Sequence, residues 1–268
     1  MTSEELKDNN FSLVLSGGGA LSISQITIIE KMEKYPLIPS EIIGTSMGGL
    51  IGACYSIGLD SKAISKLISE FARISNWAKF SFSGNGLLNT EKIEKIFEII
   101  FNKRKMFETN IPLKLIATEF KTGKVKIFDK DSDVLIKDAL LATIAIPGIF
   151  ESKKINNIIY SDGFLVENLG INQADYNYVL AIDVLGEKSF NGNLPESFFK
   201  TKRCLEMMEK SMKILIINQT RSSFDKCDKN IFYIDIDTTG FRTFYFHRFE
   251  ELIALCKDYK FNEGLEDV

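Results

Sequence analysis

Two apolar runs that end in glycine and give way to helix-forming sequence lie within the first fifty residues. They narrow the fold more than any other feature of the chain. Phe11-Ser12-Leu13-Val14-Leu15 reads as a short buried strand ending at Ser16-Gly17-Gly18-Gly19. Ala20 to Lys34 carries Leu21, Ile23, Ile26, Ile29 and Met32 close to helical spacing, and Pro36 and Pro39 punctuate the return. Glu41-Ile42-Ile43 is a second brief strand before Gly44, and Met47 to Ile57 reads as helix. A β-α-β-α opening predicts an α/β fold with parallel pairing, because parallel neighbours need a crossover and a helix supplies it.

Further along, Asp60 to Ile74 has the pattern of an amphipathic helix capped by Asp60 or Ser61. Ser81 to Asn89 reads as a glycine-containing loop, and Thr90 with Ile93, Ile96, Phe97 and Ile100 as a helix. Leu113–Phe120 and Lys124–Phe128 predict a hairpin turning at Thr122-Gly123. Val134 to Ala142 is a helix stopped by Ala145-Ile146-Pro147-Gly148. Ile155–Tyr160 and Tyr178–Val184 read as strands. Beyond Gly186 the pattern weakens: Lys213–Asn218 and Ile231–Ile236 read as strands and Phe244–Tyr259 as a last helix. With no internal repeat or low-complexity linker, the expected organisation is a polar tail (1–10), a main body (11–185) and a C-terminal part of the same domain (186–268).

A chain of 268 residues can enclose a sizeable core. Its net charge of -3 gives no electrostatic reason to expect nucleic acid as a partner. Cys54, Cys204, Cys227 and Cys256 form no C-x-x-C pair, which fits a reducing compartment. The polar, acidic start lacks the features of a signal peptide, and no apolar run approaches the ~18–20 residues that span a bilayer. A cytoplasmic location follows as the expectation, with any membrane contact peripheral.

Three short motifs carry chemistry. Gly44-Thr45-Ser46-Met47-Gly48 matches G-x-S-x-G after a strand and before a helix, the setting in which a serine hydroxyl is lifted clear of a sheet. Gly17-Gly18-Gly19 can aim several backbone N–H groups into one concavity, suited to an oxyanion or a phosphate. A dinucleotide fingerprint would need glycine at Ser22 and an acid closing the second strand, and neither is present. Tyr160-Ser161-Asp162-Gly163 ends an isoleucine-rich strand, so Asp162 either faces a pocket or is an ordinary Asp-Gly turn residue.

In this order the motifs resemble the patatin-like phospholipase family. Ala117-Thr118-Glu119-Phe120-Lys121-Thr122-Gly123 is similar to that family's strand and turn, and Ala142-Thr143-Ile144-Ala145-Ile146-Pro147-Gly148-Ile149-Phe150 to its Ala-Ser-x-Ala-x-Pro-x-x-Phe segment. Asp162-Gly163-Phe164-Leu165-Val166-Glu167-Asn168 is similar to its Asp-Gly-Gly/Ala stretch with a following Asn. The resemblance runs from about Phe11 to Val184. It implies a three-layer α/β/α fold with a mostly parallel sheet, and a catalytic core over 11–185. It also implies hydrolysis of acyl esters of phospholipid or lysophospholipid class by a Ser46–Asp162 dyad. Gly17, Gly18 and Gly19 would form the oxyanion hole, Gly44 and Gly48 would shape the elbow, and Gly163 would complete the Asp-Gly motif. No metal or other cofactor is implied, and the expected partner is a lipid or acyl-ester substrate. An acyltransferase on the same site, or an impaired lipid-binding protein, are the alternatives.

The chain departs from the family at Leu21, where Arg or Lys is frequent, at Ser22, where glycine is frequent, and at Phe164, where Gly or Ala is usual. A rival α/β-hydrolase triad would add the single histidine, His247, to Ser46 and Asp162. His247 lies among Phe244, Tyr245, Phe246 and Phe249, which favours a satisfied structural histidine. Those aromatics and Phe241 either line an acyl pocket, touch a bilayer or close the core.

Overall fold

The computed structural model describes residues 3–75, 90–190 and 200–261. At its centre, strand β1 (Phe11–Leu15) lies between β2 (Glu41–Thr45) and β7 (Tyr178–Asp183), parallel to both. β3 (Leu113–Glu119) continues the parallel set beyond β2, and β8 (Asn230–Asp235) continues it beyond β7. Antiparallel strands extend the β3 side: β4 (Lys124–Phe128) and β6 (Ile158–Asp162) both pair with β3, and β5 (Lys153–Ile155) pairs with β6. The order is β5-β6-β3-β2-β1-β7-β8, with β4 branching from β3.

Period-two alternation explains why the central strands carry apolar residues on both faces. Leu13, Leu15, Ile42, Leu115, Leu180 and Ile182 face one core, whereas Val14, Ile43, Ile116, Val179 and Ala181 face the other. The first core packs under helices α2 (Gln25–Lys34), α3 (Ser46–Ser56), α4 (Ser61–Ser75), α5 (Thr90–Phe101), α6 (Ile136–Thr143) and α8 (Phe249–Ala254). The second lies under Leu169, Ile171 and Ala174 and the long helix α7 (Lys200–Lys226), which contributes Phe224. The result is the expected three-layer α/β/α arrangement around a mostly parallel sheet.

The expected elements recur with informative differences. The first helical segment begins as a 3-10 turn over Gly19–Ser24 before α2. Asp60 caps α4 by accepting from Ala63 N–H at 2.8 Å. Ile155–Tyr160 is not one strand. Asn156 and Asn157 take positive φ (48° and 66°) and fold it into the β5–β6 hairpin. Lys213–Asn218 is not a strand either, but a part of α7. Glu206, Ile216, Ile217, Thr220 and Ser223 are buried at helical spacing while Leu215 is 63% exposed, and a four-residue apolar run cannot by itself reveal that periodicity. The final helix is short, a 3-10 turn at Phe246–Arg248 followed by α8. Within the N-terminal stretch read as a tail, Ser3–Asp8 forms a helix, α1, that buries Leu6. The loop expected at Ser81–Asn89 lies outside the described residues. Among the described residues no helix is long and apolar enough to cross a membrane.

Candidate functional site

Strand order reverses around β1: the path leads from β1 to β2 and β3 on one side, then returns to β7 and β8 on the other. In open α/β sheets, such a switch point opens a crevice at the carboxyl ends of the strands. Gly17–Gly19 follow β1 there, Ser46 follows β2, and Asp183 ends β7.

Ser46 is the first residue of α3 and takes φ 54°, a left-handed conformation costing a non-glycine residue roughly 1–3 kcal/mol. Two features hold it there. Its N–H donates to Thr143 Oγ1 at 2.9 Å, and the Thr143 hydroxyl donates in turn to Ile116 O. Gly44 and Gly48 also allow close approach of backbone segments. A Cβ on Gly44 would stand 2.5 Å from Gly49 Cα, and one on Gly48 would stand 2.3 Å from Ser16 O. The elbow therefore packs directly on the end of β1, from which the glycine loop departs.

Asp162 arrives from β6, which pairs Asp162 with Ala117 at the end of β3. Its N–H donates to Ala145 O at 3.0 Å, and its carbonyl accepts from Thr118 Oγ1 at 2.8 Å. The carboxylate is fully buried. Ser46 Oγ donates to Oδ2 at 2.6 Å, and Phe164 N–H donates to Oδ1 at 3.0 Å. Burial pushes the Asp162 carboxyl up to about 7, although the Phe164 N–H and the Ser46 hydroxyl pull it down. Gly163 follows with its Cα against Ile116 O.

The glycine loop lies beside this pair: a Cβ on Gly17 would be 3.1 Å from Ser46 Cβ. Gly17 N–H donates to Asn168 O at 3.4 Å. Among the described residues neither Gly18 N–H nor Gly19 N–H is engaged in a hydrogen bond. Gly18 packs against Val184, and Gly19 against Thr243.

At the departures from the family pattern, Leu21 is buried in the core and Ser22 Oγ donates to Ser16 O at 3.3 Å. Phe164 packs partly buried against the core, and its side chain leaves its N–H free to serve Asp162. His247 is exposed, with its ring centroid 5.1 Å from that of Tyr245, rather than a satisfied structural histidine. It is not a hydrogen-bond partner of Asp162, whose side chain meets Ser46 and Phe164. Phe241, Phe246 and Phe249 pack against the core, and Phe244 is exposed. No metal-ligating group of three or more His, Cys, Asp or Glu occurs among the described residues.

Sequence reasoning did not single out Thr143, Gln25, Asp183 or the role of Asn168. Thr143 and Asn168 sit inside segments quoted for the family resemblance. Gln25 and Asp183 carry no local signal.

A model of the family described as patatin-like phospholipase matches residues 13–175. An uncharacterized NTE family protein of Mycobacterium tuberculosis is 23% identical over 233 residues, covering 80% of this chain and 60% of that protein. The triacylglycerol lipase ptl2 of Schizosaccharomyces pombe is 26% identical over 180 residues, covering 59% of this chain and 28% of the lipase. The chain thus spans about 60% of the length of this mycobacterial relative and 30% of that of another, 20% identical NTE family protein of the same organism. Among solved structures, VipD from Legionella pneumophila aligns with a TM-score of 0.45 at 13% identity, covering 91% of this chain and 67% of that one.

Proposed function

The chain belongs to the patatin-like phospholipase family, and from that premise we propose that it hydrolyses acyl ester bonds of lipids, in the phospholipid or lysophospholipid class. Ser46 is the nucleophile and Asp162 its base. The single observation that carries this reading is the 2.6 Å hydrogen bond from Ser46 Oγ to Asp162 Oδ2. It sits within a buried site at the carboxyl edge of the sheet.

Asp162 takes the hydroxyl proton on Oδ2 as Ser46 Oγ forms its bond to the ester carbonyl carbon. The resulting oxyanion is held by N–H groups of the glycine loop. Gly18 and Gly19 are its natural donors, since Gly17 N–H already turns to Asn168 O. Collapse breaks the carbon–oxygen bond to the leaving alcohol, which takes the proton from Asp162 and leaves an acyl-serine. Water gives a proton to Asp162 as it attacks that ester; the carbonyl carbon–Oγ bond then breaks, Asp162 returns the proton to Ser46 Oγ, and the fatty acid leaves. A carboxyl whose pKa is raised toward neutrality matches this alternation between accepting and returning a proton.

Fatty-acid release from phosphatidylcholine, lysophosphatidylcholine and triacylglycerol tests the proposal. Ser46→Ala and Asp162→Asn should each reduce turnover by roughly 10³-fold or more. Combining them should add little, because residues acting as one unit are strongly non-additive. Unimpaired turnover by Ser46→Ala overturns the proposal.

A further inference from the structure

Two primary amides are buried against the glycine loop, and both hold it in the same way. Asn168, 1% exposed, donates from Nδ2 to Gly17 O at 3.1 Å. Gln25, at 0% exposure in the first turn of α2, donates from Nε2 to Ser16 O at 2.8 Å. The two acceptors are consecutive carbonyls of the loop. In each amide the other end makes no hydrogen bond: Asn168 Oδ1 and Gln25 Oε1 are both buried without a partner. A buried carbonyl oxygen left unpaired costs stability, so native structures hold few of them. Two at one three-residue loop call for a reason other than folding.

Peptide geometry supplies one. The peptide unit is planar and trans, so the C=O of one residue and the N–H of the next point in opposite directions. Fixing Gly17 O against Asn168 therefore fixes the direction of Gly18 N–H. Fixing Ser16 O against Gln25 fixes Gly17 N–H, which then meets Asn168 O. Gly18 O accepts from Leu21 N–H at 3.2 Å, which sets Gly19 N–H in the same manner. Glycine lacks the side chain that would otherwise limit rotation of these planes, so the clamps must come from outside the loop.

We infer that Asn168 and Gln25 are positioning residues that hold the loop's peptide planes so that Gly18 N–H, and with it Gly19 N–H, faces the oxyanion. Ser16 anchors the same loop from behind. Its Oγ accepts from Val184 N–H at 3.0 Å, directly after the buried Asp183 that ends β7. Asp183 is held in turn by Leu185 N–H at 2.9 Å and Tyr233 Oη at 3.2 Å.

The inference rests on the hydrolase reading above, and its test separates the two. Asn168→Leu keeps the branched shape but removes the donor to Gly17 O. Gln25→Leu removes one donor to Ser16 O, which keeps its bond from Ser22 Oγ, and also removes an unpaired oxygen. Each is assayed for kcat and KM on a soluble p-nitrophenyl ester, and for inhibition by an alkyl trifluoromethyl ketone, whose hemiketal oxyanion occupies the same place as the intermediate. Asn168→Leu should lower kcat roughly 100-fold, the loss typical of a single oxyanion donor, with KM within about two-fold. The ketone's Ki should rise by the same factor as kcat/KM falls. Gln25→Leu should lower kcat about ten-fold with Tm unchanged or raised, a split that a purely structural role does not produce. It carries the test alone if Asn168→Leu does not fold. Both inhibition and kcat within two-fold of wild type in a folded variant overturn the inference while leaving the hydrolase reading intact. A wild-type protein that hydrolyses no ester, or a Ser46→Ala form that does, overturns the hydrolase reading and this inference with it.

Discussion

Asp162 should make both catalysis and stability depend on pH, in opposite directions. The perturbation is Asp162→Asn, compared with wild type across pH 4 to 8. Burial raises the carboxyl from the ordinary 3.8 to about 7. As a base it works only when ionised. At pH 6 roughly one molecule in ten, and at pH 5 roughly one in a hundred, holds the active form. Wild-type kcat/KM for an ester with a pH-insensitive leaving group should therefore climb about ten-fold per pH unit up to neutrality and then level off. A carboxylate of ordinary pKa would give a flat profile over that range. Stability runs the other way, because the folded state keeps the proton that the unfolded chain has already released. Stability contributed by this group is greatest below the unfolded value and is lost as pH rises from 3.8 toward about 7. The displacement corresponds to about 4 kcal/mol for a fully buried group. Asp183, Asp235 and Glu167 are raised by burial too, but they are present in both proteins and cancel in the difference. Urea unfolding should show wild type losing about 4 kcal/mol relative to Asp162→Asn between pH 4 and pH 8. A stability difference that stays constant with pH, or a kcat/KM that is level from pH 5 to 8, would refute the reasoning.

Three further outcomes follow from the same geometry. His247→Ala should keep turnover within a few-fold; a loss as deep as that of Ser46→Ala, with melting unchanged, would restore the triad that includes histidine. Gly48→Ala should destabilise by about 3 kcal/mol, at the upper end for overpacking, because its Cβ, fixed to the helix backbone, would meet the backbone oxygen of Ser16 at 2.3 Å. Thermal unfolding checks it, and an unchanged Tm would show that the elbow and β1 can part without cost. Ester hydrolysis should persist in excess EDTA, since Ser46 and Asp162 generate the nucleophile without a bound cation; activity lost to chelator and restored by calcium would contradict the dyad.

Local pattern made a large part of this protein legible. β1, β2, β3 and β7 are short, mainly apolar runs buried on both faces, and the edge strand β8 alternates between buried and partly buried residues; such strands keep their sequence signature whatever surrounds them. The elbow at Ser46 was legible because strand, glycine and helix must follow one another within a few residues for the turn to form. Tertiary context decided the rest. Ile214-Leu215-Ile216-Ile217 fits a strand until the neighbouring turns of α7 reveal which of those residues the sheet covers. Ile155–Tyr160 fits one strand until Asn156 and Asn157 take positive φ and reverse it.

At the site the division is the same. The sequence offered a serine, an aspartate and three glycines as candidates, each with a bland alternative, because residue type and spacing state what a side chain can do but not what it meets. Only the fold brings Asp162 116 positions along the chain to within 2.6 Å of Ser46 and strips it of water, which is what moves its pKa. Only the fold carries Asn168, 151 positions beyond Gly17, and Gln25, 9 positions beyond Ser16, to consecutive carbonyls of one loop. Desolvation and hydrogen-bond direction depend on every element packed around a group, and no local stretch of sequence contains them.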